Sequence, residues 1–121
     1  MCVLLGVARG DTTADAERLA GKVANLRIFE NHEGKFDRSL LDSGGAALVV
    51  SNFTLIADTR RGRGTRPDWS CAAPRNEAEP IYEAFCQALR ECGVHVETGV
   101  FAARMQLDLV NDGPVTIVLD T

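Results

Sequence analysis

Two short segments carry residue types that could perform chemistry on an acyl group. Ser51-Asn52-Phe53-Thr54 follows an apolar run, so a hydroxyl, an amide and successive backbone N–H groups could converge on a carbonyl oxygen. The second segment is Asn111-Asp112-Gly113-Pro114-Val115-Thr116, whose Gly-Pro pair fixes one φ angle, frees the other and can adopt a cis bond. By itself, the second segment also fits an ordinary hairpin turn.

The common catalytic motifs are absent from the sequence. It holds no GxSxG, P-loop, HExxH or GxGxxG pattern. His32 lies in a predicted surface turn, and His95 alternates with Val94 and Val96, so its side chain is predicted to point away from the core. A Ser-His-Asp mechanism is therefore disfavoured. The four cysteines form no CxxC pair and have no histidines at zinc-ligand spacing, so we expect neither a metal nor a cofactor.

Length and charge restrict the class of protein. With 121 residues and 45% hydrophobic content, the chain predicts one domain over residues 1–121. A net charge of -4 disfavours non-specific coating of nucleic acid. A local basic loop remains, formed by Arg60, Arg61, Arg63 and Arg66, and it is either a contact for RNA or a solvated surface loop. Without a secretory signal or a bilayer-length apolar stretch, we expect a cytoplasmic protein with free thiols and no membrane partner.

The first half of the chain predicts two strands and a helix. The apolar block Cys2 to Val7 indicates a buried strand. Residues from about Thr13 to Asn25 have helical spacing, and Thr12 with Asp15 could cap them. The run beginning at Ala46 is apolar on both alternating faces, as expected of a central strand covered on both sides.

A long loop over residues 57–74 precedes a second predicted helix. Asn76 with Glu79 could cap this helix, Pro80 would lie in its first turn, and Gly93 would end it. Its inward stripe is predicted as Ile81, Phe85, Ala88, Leu89 and Cys92. Short strands are predicted at 94–98, 105–110 and 115–119. This order of elements indicates an α+β or mixed α/β fold.

These segments resemble a known family, the D-aminoacyl-tRNA deacylases. Val49 to Arg60 is similar to the family's segment built around Ser-Gln-x-x-Leu, and Leu109 to Thr116 is similar to its Asn-x-Gly-Pro-x-Thr signature. The intervening stretches 25–29, 72–74, 79–82 and 96–101, followed by Met105, also match. The resemblance covers essentially the whole chain in order. It implies a β-barrel or sheet with two packed helices.

The resemblance also implies a substrate and a set of site residues. The family hydrolyses the ester that joins a D-amino acid to the 3′ end of tRNA, as a cytosolic homodimer with its active sites at the subunit interface. A cis Gly-Pro pair of one subunit enters the pocket of the other, so Gly113 and Pro114 would hold the substrate's amino group and block an L side chain. Asn111 and Thr116 belong to the same substrate-binding segment.

By the same resemblance, the catalytic positions are Ser51, Asn52, Phe53 and Thr54. The first three would surround the substrate carbonyl. Thr54 has been considered a nucleophile in such enzymes, with attack of water assisted by the ribose 2′-hydroxyl as the favoured alternative. Phe101 and Met105 would form an apolar wall near the terminal adenosine, and both also fit a plain core role.

The sequence departs from the family at several places. The family usually begins with a strand and hairpin before the block that starts here at Met1, which predicts an N-terminally shortened fold with an exposed sheet edge. Asn52 stands where the family has Gln and is shorter by one methylene, Ala102 replaces a common glycine, and the 63–69 loop is slightly longer. Two alternatives therefore stay open: a related enzyme acting on another aminoacyl ester, and a binding module without turnover.

Overall fold

The computed structural model describes residues 1–60 and 64–121. Its main sheet is parallel and contains β1 (Cys2–Leu5), β4 (Ala46–Ser51) and β5 (His95–Thr98), in the order β1-β4-β5. The middle position of β4 confirms the predicted central strand. The short strands β2 (Phe29–Glu30) and β3 (Phe36–Arg38) form a separate antiparallel pair.

Two long helices join these strands. Helix α1 (Thr13–Asn25) has the predicted bounds and the predicted capping box, in which Thr12 and Asp15 satisfy each other's backbone N–H groups. Helix α3 spans Arg75–Glu91 and ends before Gly93, as predicted, with this glycine at φ 100°. A short helix, α2 (Leu40–Ser43), was not predicted.

The predicted start of α3 is wrong. Pro74, at φ -66°, is the residue that precedes the helix, and no side chain caps the first turn. Asn76 and Glu79 therefore lie inside α3, where Glu79 pairs with Arg75 instead of capping. Pro80 falls in the second turn and not in the first. Because proline already fixes an extended entry at position 74, the helix begins earlier than the capping pattern indicated.

Helices α1 and α3 pack together over one face of the main sheet. The core consists of aliphatic and aromatic side chains from both helices and from the sheet, including Leu5, Ala16, Ala20, Val23, Ala24, Val49, Tyr82, Phe85, Cys86, Leu89 and Val96. The predicted stripe of α3 is partly wrong, since Cys92 is exposed and Tyr82 is buried. Tyr82 can face the core because its hydroxyl finds a backbone acceptor there.

The opposite face of the sheet is open, so the prediction that β4 is covered on both sides is wrong. Leu4 is 44% exposed, and its neighbour Val50 is only half-buried. The strands predicted at 105–110 and 115–119 are also wrong, because these residues form no strand in the structure. They run along the surface, with Val110 92% and Val118 87% exposed. A strand needs a hydrogen-bonded neighbour as well as a suitable pattern, and none of the described strands pairs with either run.

These elements confirm a mixed α/β fold with a small sheet and packed helices. Within residues 1–60 and 64–121, no helix combines the length and the apolar character needed to cross a membrane.

Candidate functional site

A cleft of about 540 Å³ lies on the open face of the sheet. It brings together five residues predicted from the sequence: Ser51, Asn52, Phe53, Phe101 and Met105. The rest of its lining is mainly aliphatic, from Leu4, Val7, Val50, Ala73, Ala78, Ala102, Ala103 and Leu107, together with Arg75. A mostly apolar cleft with a few polar groups at one end is typical of a small-molecule or substrate-end site.

The polar end of the cleft is the carboxyl end of β4. The backbone N–H of Asn52 donates to the Leu5 carbonyl at 2.9 Å, which ties the strand end to β1. Asn52 then precedes a short 3-10 helix, Phe53–Ile56. The Thr54 hydroxyl lies 2.6 Å from the Asn52 amide oxygen and donates to it. With its oxygen engaged, the Asn52 amide presents its NH₂ group as a donor.

The long loop folds back on this strand end. The Phe53 ring, which is 58% exposed, packs edge-to-face on Trp69, with the ring centroids 6.0 Å apart. Backbone bonds from Ala73 to the Val7 carbonyl and between Asp58 and Asp68 fix the described part of the loop. The Trp69 contact was not predicted, because no local pattern in the sequence pairs residues so far apart.

The apolar wall of the cleft depends on contacts from α3. Phe101 packs on Tyr82 with the ring centroids 5.6 Å apart, and the Arg75 guanidinium carbon lies 6.0 Å from the Phe101 centroid. A Cβ atom at Gly99 would lie 2.6 Å from the Met105 sulfur, so glycine at this position allows Met105 to close over the strand end. Neither Arg75 nor Tyr82 was predicted from the sequence as part of the site.

Tyr82 connects this wall to the strand below it. Its buried hydroxyl donates to the Val49 carbonyl at 2.9 Å, two residues before Ser51. Burial raises the pKa of Tyr82 to about 12, and the nearby Cys86 adds to the shift. Tyr82 therefore stays neutral and acts as a hydrogen-bond donor at neutral pH.

The second predicted segment has a different arrangement. The Gly113-Pro114 peptide bond is cis, and both residues are exposed. Asn111 uses both ends of its amide, since its NH₂ group donates to the Thr116 hydroxyl at 2.9 Å and its oxygen accepts from the Val115 N–H at 3.0 Å. None of these residues lines the cleft described above. Within one chain, the structure therefore does not bring the second predicted segment into this cleft.

The remaining candidates lie outside the cleft. His32 is exposed in the turn between β2 and β3, and the exposed His95 contacts Glu97 at 2.9 Å. Arg60 and Arg66 are exposed, with Arg60 3.5 Å from Asp58, whereas Arg61 and Arg63 lie outside the described residues. All four cysteines are free thiols. In the described part of the chain, no group of three or more His, Cys, Asp or Glu side chains could hold a metal ion.

Comparison with known proteins identifies the family. The family described as D-Tyr-tRNA(Tyr) deacylase matches residues 1–120. A D-aminoacyl-tRNA deacylase of Thermus aquaticus is 58% identical over 119 residues, which are 98% of this chain and 77% of the relative. One of Roseiflexus castenholzii is 60% identical over 121 residues, covering 100% of this chain and 76% of the relative.

Two solved structures share the fold of this chain. The structure of a c-Myc DNA unwinding element binding protein superposes with a TM-score of 0.88 at 39% identity, covering 99% of this chain and 80% of the other. A probable eukaryotic D-amino acid tRNA deacylase has a TM-score of 0.67 at 16% identity, over 85% and 75% of the two chains, and shares the fold. The chain therefore belongs to the D-Tyr-tRNA(Tyr) deacylase family.

Proposed function

We propose that this chain hydrolyses the ester bond of D-aminoacyl-tRNA and releases the free D-amino acid and tRNA. Family membership supports the reaction and the substrate class. The single structural observation that supports the site is the convergence of Ser51, Asn52 and Phe53 at one end of an apolar cleft. The cleft would take the aminoacylated 3′ end.

In this mechanism, the strand end binds the reacting carbonyl. The Asn52 NH₂ group and neighbouring backbone N–H groups stabilise the oxyanion that forms when water attacks the carbonyl carbon. The acyl C–O bond then breaks, and the ribose 3′-oxygen leaves with a proton. Ser51, Phe53 and the apolar wall hold the acyl group and the terminal nucleoside in place.

Attack of water is assisted by the neighbouring ribose 2′-hydroxyl. Two observations support this route over a protein nucleophile. Neither His32 nor His95 lines the cleft, so no imidazole is available there to activate a hydroxyl. The Thr54 hydroxyl donates a hydrogen bond to the Asn52 amide oxygen, so the role of Thr54 is to orient the amide.

Chirality is read by main-chain atoms of a second copy of the chain. The Gly113-Pro114 pair is exposed and outside the cleft of its own chain, and Asn111 and Thr116 hold its loop in one shape. In the proposed homodimer, this loop enters the partner's cleft, where the Gly113 and Pro114 carbonyls bind the substrate's amino group and exclude an L side chain.

Release of labelled amino acid from tRNA tests the reaction. We expect D-aminoacyl-tRNA to be hydrolysed and the L counterpart to be spared. Equal rates on both substrates would favour a related enzyme for another aminoacyl ester. No release at stoichiometric protein would favour a binding module without turnover, and either result would overturn the proposal.

Mixing two variants tests the homodimer. Asn52→Ala chains have a defective cleft and an intact loop, whereas Pro114→Ala chains have an intact cleft and a defective loop, so Pro114→Ala alone should hydrolyse with a lowered D-to-L ratio. If the loop of one copy completes the cleft of the other, adding Asn52→Ala chains in large excess restores the D-to-L ratio, because most intact clefts then face an intact loop in a twofold heterodimer. An unchanged ratio after proven exchange would place the loop and the cleft of one active site in the same chain.

A further inference from the structure

The charge on the cleft wall comes from one residue. Among the described residues that line the cleft, Arg75 alone is charged, and its ion-pair partner Glu79 does not line the cleft. This is notable in a chain with 17 acidic and 13 basic residues. The cleft is thus apolar with one cation, which suits a ligand that carries one anion beside an apolar group.

Contacts on two sides place the Arg75 guanidinium. Its carbon lies 6.0 Å from the centroid of the Phe101 ring, which also lines the cleft. Its Nε is 3.2 Å from the Glu79 carboxylate, one turn further along α3. The side chain is 67% exposed, so the guanidinium lies where the cleft opens to solvent. Arginine has five N–H donors, and the Nε contact leaves its terminal nitrogens for an anion.

The proposed substrate carries an anion at the corresponding place. Its reactive ester is on the 3′-terminal ribose, and the phosphodiester that continues the tRNA is attached to the same ribose. With the ester carbonyl at Asn52 and the nucleoside against Phe101, the phosphodiester must leave the cleft at its open edge. Resting on the proposed function, we infer that Arg75 binds the phosphodiester of the terminal nucleotide and so helps to select tRNA over smaller aminoacyl esters.

Substrates with and without the phosphate test this role. Arg75→Gln is compared with wild type on D-aminoacyl-tRNA and on 3′-O-D-aminoacyl-adenosine, which has the ester and nucleoside but no phosphate. We expect about a tenfold fall in kcat/KM on tRNA, mainly through KM, because a charge-assisted hydrogen bond is lost. The fall on the adenosine ester should be much smaller, because this substrate has no phosphate for Arg75 to bind. Arg75→Lys should show a smaller fall in kcat/KM on tRNA, since lysine retains the charge but lacks the planar guanidinium group.

Lys22→Gln is the matched control, because it removes the same charge from an exposed position on α1. The slope of log kcat/KM against log salt should become shallower by about 0.7 in Arg75→Gln and should not change in Lys22→Gln. Equal losses on both substrates, equal losses in the two variants, or no loss on tRNA would each overturn the role of Arg75.

Direct binding separates this inference from the proposed function. Calorimetry with 5′-AMP and with adenosine requires no turnover. We expect wild type to bind 5′-AMP more tightly than adenosine and Arg75→Gln to lose that difference. If the difference persists in Arg75→Gln, or is absent in wild type, the inference is wrong even if the esterase is active. If wild type hydrolyses no D-aminoacyl-tRNA but shows the Arg75-dependent difference, only the proposed reaction fails.

Discussion

The strand end at Ser51–Thr54 and the loop at Asn111–Thr116 are both polar segments that follow apolar runs, but different interactions hold them. The strand end belongs to the central strand, and its backbone is bonded to β1. The loop is exposed on the surface, and the side chain of Asn111 fixes its shape.

Because of this difference, mutations in the two regions should have different consequences. Mutations under the strand end act on the core, because β4 carries Val49 and accepts the Tyr82 hydrogen bond. Mutations in the loop act on groups that face solvent in the single chain. Under the proposed function, damage to the strand end therefore lowers the rate on any substrate, whereas damage to the loop lowers the discrimination between D and L substrates.

The largest effect is expected at Asn52. Asn52→Ala removes the amide donor from the proposed oxyanion site and should lower kcat/KM on D-aminoacyl-tRNA about 100-fold. Thr54→Val removes the hydroxyl that orients this amide and should cost about tenfold, whereas Thr54→Ser should be close to wild type. Single-turnover hydrolysis measures these rates.

The double variant tells whether the two residues act together. If Thr54 works through Asn52, Thr54→Val has no further effect in the Asn52→Ala background. If Thr54 were the nucleophile, its loss would abolish release in both backgrounds. Unfolding in denaturant shows whether each variant is folded.

A smaller effect, on the discrimination between D and L substrates, is expected in the 111–116 loop. Asn111→Ala removes both side-chain bonds that hold the 111–116 loop, so the Gly113-Pro114 carbonyls lose their fixed position. We expect the ratio of D to L hydrolysis rates to fall about tenfold. A factor of ten corresponds to about 1.4 kcal/mol, which is close to the contribution of one neutral hydrogen bond. The unfolding midpoint should change little because the segment is exposed.

Asp112→Ala is the control for this loop, because it leaves both Asn111 bonds in place. A drop in overall rate at constant D-to-L ratio in Asn111→Ala would contradict the separate roles of the two regions.

Tyr82 tests the connection between the core and the strand end. Tyr82→Phe removes a buried hydrogen bond, but the Val49 carbonyl still accepts from the Gly99 N–H. We expect a loss of about 1 kcal/mol in the free energy of unfolding, measured in denaturant. A loss of activity without this loss of stability would mean that Tyr82 acts on the cleft and not on the fold.

The raised pKa of Tyr82 leads us to expect a stability that depends on pH. The pKa of Tyr82 is raised from 10.0 to about 12 by burial, so the neutral form is favoured in the folded state. Its contribution to stability is complete below pH 10 and is lost as pH rises toward 12. Because the chain has one tyrosine, tyrosinate absorbance follows this group alone, and Tyr82→Phe should lack this part of the pH-dependent loss.

The features that could be predicted from the sequence are those that a local pattern determines. The bounds of α1, the central strand and five cleft residues follow from periodicity, capping or family resemblance. Sequence reasoning missed Arg75, Tyr82 and Trp69, which reach the site through contacts distant in sequence. It also predicted strands at 105–110 and 115–119, where alternation is present but no described strand supplies a hydrogen-bonded neighbour.

The smallest expected effect is at Ala102, in the turn between the strand region and the exposed segment. Its φ of 61° is in the left-handed region, which disfavours a residue with a Cβ by about 1 kcal/mol or slightly more. Ala102→Gly relieves this cost but adds freedom to the unfolded chain, so we expect a net gain of at most about 1 kcal/mol. The neighbouring Ala103→Gly is the control and should only destabilise, since Ala103 is not among the positive-φ residues. If both variants lower the unfolding midpoint equally, the strain at Ala102 is absent in solution, and the turn that leads to Met105 is held in another way.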